Sequence, residues 1–186
     1  MSNNPLSYWS DIEDWLRVHA PASYASLRGP ASADDITGLE RAVGVKLCDE
    51  LRALFHQHDG TKTREEAGKG SYFYPKNYRP LTAAESVARH HMLTELLETF
   101  DDGMSGYWWH SLWVPIAEHV TGDVIFVDHR QGSGFGSVGK FDHEDSATIR
   151  WPSLSNYLRA MLENITGRTS SQFVPTLVEG ALTWRP

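Results

Sequence analysis

Six consecutive residues, Asp123-Val124-Ile125-Phe126-Val127-Asp128, constrain the fold of this chain more than any other stretch. Four large apolar side chains in a row, closed at each end by a carboxylate, do not suit a strand with one wet face. The run fits a central strand buried on both sides, so other layers must cover both faces of its sheet. Neighbouring stretches supply the partners. Trp113-Val114-Pro115-Ile116 is a second apolar run, in which Pro115, lacking an amide proton, favours an edge position or a strand start. Thr121-Gly122-Asp123 reads as the turn between the two runs, Gln131 to Gly136 as a glycine-rich connection, and Ser137 to Phe141 as a returning strand. The expectation is an α+β fold in one domain, with helices before and after a mainly antiparallel meander.

Helical patterns flank this core. Ser10-Asp11-Ile12-Glu13 has capping-box spacing, and Ile12, Trp15, Leu16 and His19 recur at helical intervals until Pro21. Ala20 to Ala31 is rich in Pro, Ala, Ser and Gly and reads as a connection. Ser32 caps the next helix, with Asp34 and Asp35 in its first turn, Ile36, Leu39 and Val43 on its inner stripe and Gly44 at its end. Leu51, Leu54 and Phe55 mark a third helix that ends at Asp59-Gly60. Thr61 to Gly70 has charge and glycine without apolar periodicity, which predicts an exposed, mobile loop; Ser71 to Tyr74 reads as an aromatic strand and Asn77 to Pro80 as a turn. A second capping box, Thr82 to Glu85, opens a long helix through Val87, Met92, Leu93, Leu96, Leu97 and Phe100, stopped by Asp101-Asp102-Gly103. Ser153 starts a closing helix with Leu154, Tyr157, Leu158, Met161, Leu162 and Ile165. Residues 168–186 form an extension, in which Phe173 to Trp184 predicts a small hairpin docked on the main sheet rather than a second domain.

The 186 residues, with seven each of Trp, Tyr and Phe, supply enough apolar bulk for a core without a metal or disulfide staple. Cys48 is the only cysteine, so no intramolecular disulfide forms, which suits a reducing cytoplasm. The opening residues lack the basic and apolar regions of a secretory leader, and no run approaches the ~18 apolar residues of a membrane span. A formal net charge of -7 repels phosphate backbones and attracts basic proteins, so a basic protein partner is expected and nucleic acid and membranes are not.

Several stretches invite a chemical reading. Gly134-Phe135-Gly136-Ser137-Val138-Gly139 matches G-x-G-x-x-G, but a dinucleotide site needs that motif to leave a strand and open a helix, and Lys140-Phe141-Asp142-His143 has no helical spacing. A hairpin connection is the better reading. His56 and His58 are two apart, and His90 and His91 are adjacent, so neither pair shares a helix face as metal ligands at i and i+4 do; Asp128-His129 has no second cluster at a suitable spacing. Cys48 has no histidine implied beside it, and no G-x-S-x-G elbow exists. Asp142-His143-Glu144-Asp145 concentrates acid, yet sequence neighbours do not hold two carboxylates at a glycosidase separation. No catalytic residue, metal ligand or cofactor site is expected. In Tyr107-Trp108-Trp109-His110-Ser111-Leu112-Trp113, strand alternation would set Trp109 and Trp113 opposite Trp108. The tryptophans either fill a sheet–helix junction or present an aromatic anchor.

The order Trp113-Val114-Pro115-Ile116-Ala117, Gly122-Asp123 to Asp128, Gly136-x-Val138 and Phe141-Asp142-His143-Glu144 resembles the sheet core of the SUKH superfamily, in particular its Smi/Knr branch. Ser32 to Glu40 with Val43-Gly44, Leu51 to Gly60, and Trp151-Pro152-Ser153-Leu154 with Tyr157-Leu158 resemble its helices, so the likeness covers roughly residues 9–167. Leu47-Cys48 stands where the family usually has Leu-Pro. The resemblance implies a non-enzymatic protein-binding domain. Many bacterial members are immunity proteins that occlude a toxin domain, often a nuclease; the yeast members imply an alternative, a regulatory scaffold in signalling or cell-wall assembly. By the resemblance Asp59, Gly60, Trp113, Pro115, Gly122, Asp123 and Asp128 are fold-determining. From charge and expected exposure, the candidate partner-binding residues are Asp101, Asp102, Asp142, Glu144 and Asp145, with Tyr107 and Trp108 as aromatic anchors.

Overall fold

The computed structural model describes residues 7–100, 103–169 and 172–186. Five antiparallel strands run side by side in chain order: β1 (Arg79–Pro80), β2 (Trp113–Glu118), β3 (Val124–Asp128), β4 (Val138–Phe141) and β5 (Ala147–Trp151). β3 is central and buried along its whole length, as its unbroken apolar run requires. Alternation sends Ile125 and Val127 into one core and Val124 and Phe126 into a second core on the opposite face. Pro115 lies inside the second strand rather than at an edge or a start. It is tolerated there because β1 reaches only Ala117 and Glu118, and the β2–β3 register slips between Pro115 and Ala117.

Helices enclose the larger core. α1 (Ser7–His19) contributes Trp9, Ile12 and Leu16, α3 (Ala33–Val43) Ile36 and Leu39, α4 (Asp49–Gln57) Leu51 and Phe55, and α7 (Leu154–Ile165) Tyr157, Leu158 and Met161. Their ends carry the expected chemistry. Ser32 and Asp35 form a capping box for α3, and Gly44 closes it at φ 78°. Thr82 and Glu85 do the same for α6 (Ala83–Leu97), which shields the second core with Leu93. Ser155, in the first turn of α7, is held by Glu50 of α4 through its amide at 3.2 Å and its hydroxyl at 2.7 Å.

Several expectations are corrected. The chain is already helical at Ser7, so Ser10 lies within α1 instead of capping it. Pro21 ends α1 but also starts α2 (Pro21–Ser26), since a first-turn proline costs no helical hydrogen bond. The segment predicted as an exposed loop holds α5 (Arg64–Ala67) and a 3-10 turn (Gly68–Ser71). Thr63 and Glu66 cap α5 reciprocally, and Thr61, Gly70 and Ser71 are buried. Residues 71–74 are not a strand; Phe73 and Tyr74 are core, and Tyr74 pairs with Tyr78 across a turn. α6 stops at Leu97, and its inner face is Ser86, His90 and Leu93, leaving Met92 and Leu96 outside.

The tail does form a hairpin, β6 (Val174–Val178) and β7 (Ala181–Arg185), but as its own two-stranded sheet. It docks on helices rather than on the main sheet. The Ala22 amide donates to Gly180 at 2.8 Å, the Leu182 amide to Ser23 Oγ at 3.0 Å, and Trp184 Nε1 to the Phe73 carbonyl at 2.8 Å. Leu182 and Trp184 thereby enter the larger core.

Candidate partner-binding face

The residues that resemble the family pattern fall at turns, strands and a helix start. Asp59 Oδ1 accepts the Ala83 amide at 2.7 Å and so satisfies an open donor at the start of α6; burial pushes its carboxyl pKa up. Gly60 has φ 61°, and a Cβ there would lie 2.4 Å from the Leu81 carbonyl carbon. Gly122, at φ 100°, turns β2 into β3. Trp113 stacks on Phe126 with centroids 4.3 Å apart, and the Arg130 guanidinium lies 5.2 Å from its ring. Buried Asp128 grips Arg130 Nε and Nη2 at 3.0 and 2.7 Å. Its backbone also closes the glycine-rich connection, accepting from Gly136 at 2.7 Å. That G-x-G-x-x-G stretch joins β3 to β4 and opens no helix.

Asp123 belongs to an ion-pair knot at the opposite end of β3. Lys140 Nζ lies 2.9 Å from both Asp123 and Asp142, and His143 Nδ1 is 2.7 Å from Asp123. The imidazole holds the Asp123 carboxyl below its usual range despite burial, and Asp123 raises His143 in return. Ligand atoms of Asp123, Asp142 and His143 come within 4.8 Å of one another, but the Lys140 ammonium already serves both carboxylates that a cation would need. His129 is committed elsewhere. His129 Nε2 accepts the Cys48 amide at 3.0 Å and its Nδ1 faces the Val127 carbonyl at 3.1 Å, which places the proton on Nδ1. Burial lowers the His129 pKa and raises that of the Cys48 thiol. His90 points inward and His91 outward.

The strand pair β4–β5 carries the acidic turn outward. Asp142 shapes this turn, accepting the Glu144 amide at 3.3 Å through its side chain, while its charge is offset by Lys140. Glu144, 83% exposed in its side chain, stands 3.8 Å from His143 Nε2, and Asp145 is exposed beside it. The Ala147 amide donates to the Tyr107 carbonyl at 2.9 Å, bringing Tyr107, 56% exposed, beside the acids. Trp108 is only 6% exposed. It packs edge-on against Phe141 at 4.8 Å and against Phe100 at 4.7 Å, so it supports the face from beneath instead of projecting from it. Trp108, Trp109 and Trp113 share the second core, contrary to alternation, because residues 106–108 form a turn. Asp101 and Asp102 lie outside the described residues. Phe100, expected within the long helix, lies past its end at Leu97 and is 40% exposed beside Trp108.

A five-stranded α+β domain that presents an acidic turn edged by aromatic side chains is the class these observations define. The chain belongs to the SMI1 / KNR4 family (SUKH-1), whose profile matches residues 30–160. Domains of this family serve in immunity or regulation by binding protein partners, and are in general non-catalytic. The chain is also similar to F-box only protein 3 of Bos taurus, Homo sapiens and Rattus norvegicus, in each case 30% identical over 71 residues, which is 38% of this chain. It spans 15% of the length of those curated relatives. Among the described residues no helix is long and apolar enough to cross a membrane.

Proposed function

We propose that this chain is an immunity protein that neutralises a basic toxin domain, such as a nuclease, by covering its active surface from within the cytoplasm. The supporting observation is the β4–β5 turn: two exposed acids, Asp145 and Glu144, the latter only loosely paired with His143 at 3.8 Å, near exposed Tyr107. Tyrosine supplies contact area at low entropic cost, and the carboxylates oppose the cations with which a nuclease grips phosphate. The test is co-expression with the toxin domain encoded beside this chain. Growth rescue and co-purification are expected, both weakened by Glu144→Lys with Asp145→Lys. Failure of the wild type to rescue or co-purify overturns the reading.

A second reading, a regulatory or scaffold module, is favoured by the likeness to a segment of a much longer protein, F-box only protein 3, of which this chain spans 15%. Capture of an endogenous signalling or cell-wall partner through the same face, with no toxin rescue, would decide for it.

A further inference from the structure

We propose that the cleft between α7, the β3–β5 face and the C-terminal hairpin binds a small planar organic anion, an aromatic or heteroaromatic ring bearing a phosphate or carboxylate. The proposal is independent of the acidic face and of the toxin reading.

The cleft encloses about 280 Å³, close to the lower end for small-molecule sites. Its walls are aromatic, with Trp151 from β5, Tyr157 from α7 and Phe173 from the segment before β6. Two polar atoms of its lining residues are buried without a protein partner. Tyr157 is 2% exposed, and its hydroxyl makes no hydrogen bond; Asn164 gives its Nδ2 to the Ala160 carbonyl at 2.8 Å and leaves Oδ1 unmatched. Both atoms lie just beneath the cleft surface, and buried unpaired polar groups cost free energy, so a ligand that reached them from the cleft would supply the missing partners.

Cations at the mouth give that ligand its charge. Lys140 is neutralised by Asp123 and Asp142, whereas Lys76 feels the same two carboxylates only at longer range, and neither Lys76 nor Arg150 is in a close ion pair among the described residues. Both are placed there by local distortion. The β4–β5 register slips between Val138 and Gly139, passing from Trp151 to Ile149, and Arg150 is the residue left out of the ladder. Adjacent strand residues normally face opposite sides, yet Arg150 and Trp151 both line the cleft, which is what a bulge accomplishes. Lys76 has φ 66°, a costly conformation for a residue with a side chain, and its ammonium lies 4.6 Å from the centre of the Phe173 ring. Burial first, then Lys140 and Arg150, lower the Lys76 pKa despite the opposing pull of Asp123 and Asp142, as expected where positive charge is crowded. Phe173 lies beyond the residues matched by the family, so this chain's own extension helps close the cleft.

Thermal shift and amide NMR titration of the full chain would use adenosine monophosphate and indole-3-acetate as ring-bearing anions, with adenosine and inorganic phosphate as half-ligands. At least one ring-bearing anion should raise the melting temperature and move the resonances of Trp151 and Tyr157, more strongly than either half-ligand. Which anion wins separates the phosphate from the carboxylate source. Arg150→Ala and Tyr157→Phe should each weaken binding about tenfold. Tyr157→Phe removes only an unpartnered hydroxyl, so the unliganded variant should melt no lower than the wild type. No response to either ring-bearing anion at millimolar concentration, an equal response to inorganic phosphate alone, or binding unchanged in both variants overturns the proposal.

Discussion

At single residues the fold is least forgiving where a glycine meets backbone. Gly60→Ala must place a methyl 2.4 Å from the Leu81 carbonyl carbon while holding a positive φ, and neither neighbour is a flexible side-chain tip. A loss of about 3 kcal/mol is expected, read as a lower denaturant midpoint at unchanged slope. Gly38→Ala, with open space at its Cβ and an ordinary helical position, should instead be neutral or slightly stabilising, and serves as the control. His129 supplies a pH dependence. Its folded pKa is depressed by burial, so the unfolded chain binds the proton more readily. Stability is complete above the unfolded pKa of about 6.5 and falls as pH drops through that value toward the folded one. His90, His110 and His119 shift the same way, whereas exposed His143 shifts up and works against them. The melting temperature should therefore fall between pH 7 and pH 5, with a shallower fall in His129→Gln, which is already less stable at pH 7. A profile as steep in the variant as in the wild type would remove His129 from this role. The contacts behind these effects were not readable beforehand: Gly60 announced a turn but not the Leu81 backbone above it, and Asp128-His129, dismissed as a metal pair, gave no sign that His129 meets an amide 81 positions away.

At the scale of elements, legibility followed the strength of local pattern. β3 was plain because nothing but a doubly covered strand accommodates Val124 to Val127, and α3 because Ser32, Asp35 and Gly44 mark both its ends. β5 was missed because Thr148, Ile149 and Arg150 are exposed, so no apolar run betrays the strand that the β4 ladder recruits. α5 hid behind charge, although the Thr63–Glu66 spacing that caps it was present. α6 starts where its capping box puts it but stops at Leu97, short of Phe100. Its inner face uses Ser86 and His90, and His90 Nε2 faces the Ser111 carbonyl at 2.7 Å, so a polar residue holds a position where hydrophobicity alone would choose Met92. The candidate face was partly legible on the same grounds. Acid in a turn is easily seen in Glu144 and Asp145, but the tertiary contact that seats Tyr107 beside them, and the packing that sinks Trp108, depend on the β4–β5 pairing.

Over the whole molecule, charge is sorted rather than spread. The C-terminal hairpin is bordered by Lys76 and Arg150 on one side, and by Arg64, Lys69 and Arg185 around a second cavity that shares Trp184. A chain of net charge -7 that gathers these cations at one end leaves its remaining surface more acidic than its average. Fields of this kind act on encounter more than on the docked complex, since exposed charges are screened over roughly 8 Å at physiological ionic strength. If the proposed basic partner approaches the β4–β5 turn, its association rate should drop about tenfold or more between low and physiological salt, while dissociation changes little. Glu144→Lys with Asp145→Lys should slow association and flatten that salt dependence, with no change in melting temperature, because neither side chain is buried. Stopped-flow mixing of the purified pair measures both rates. An association rate indifferent to salt, or a variant that loses affinity only through faster dissociation, would place recognition in packed aromatic contact and deny the acidic surface its steering role.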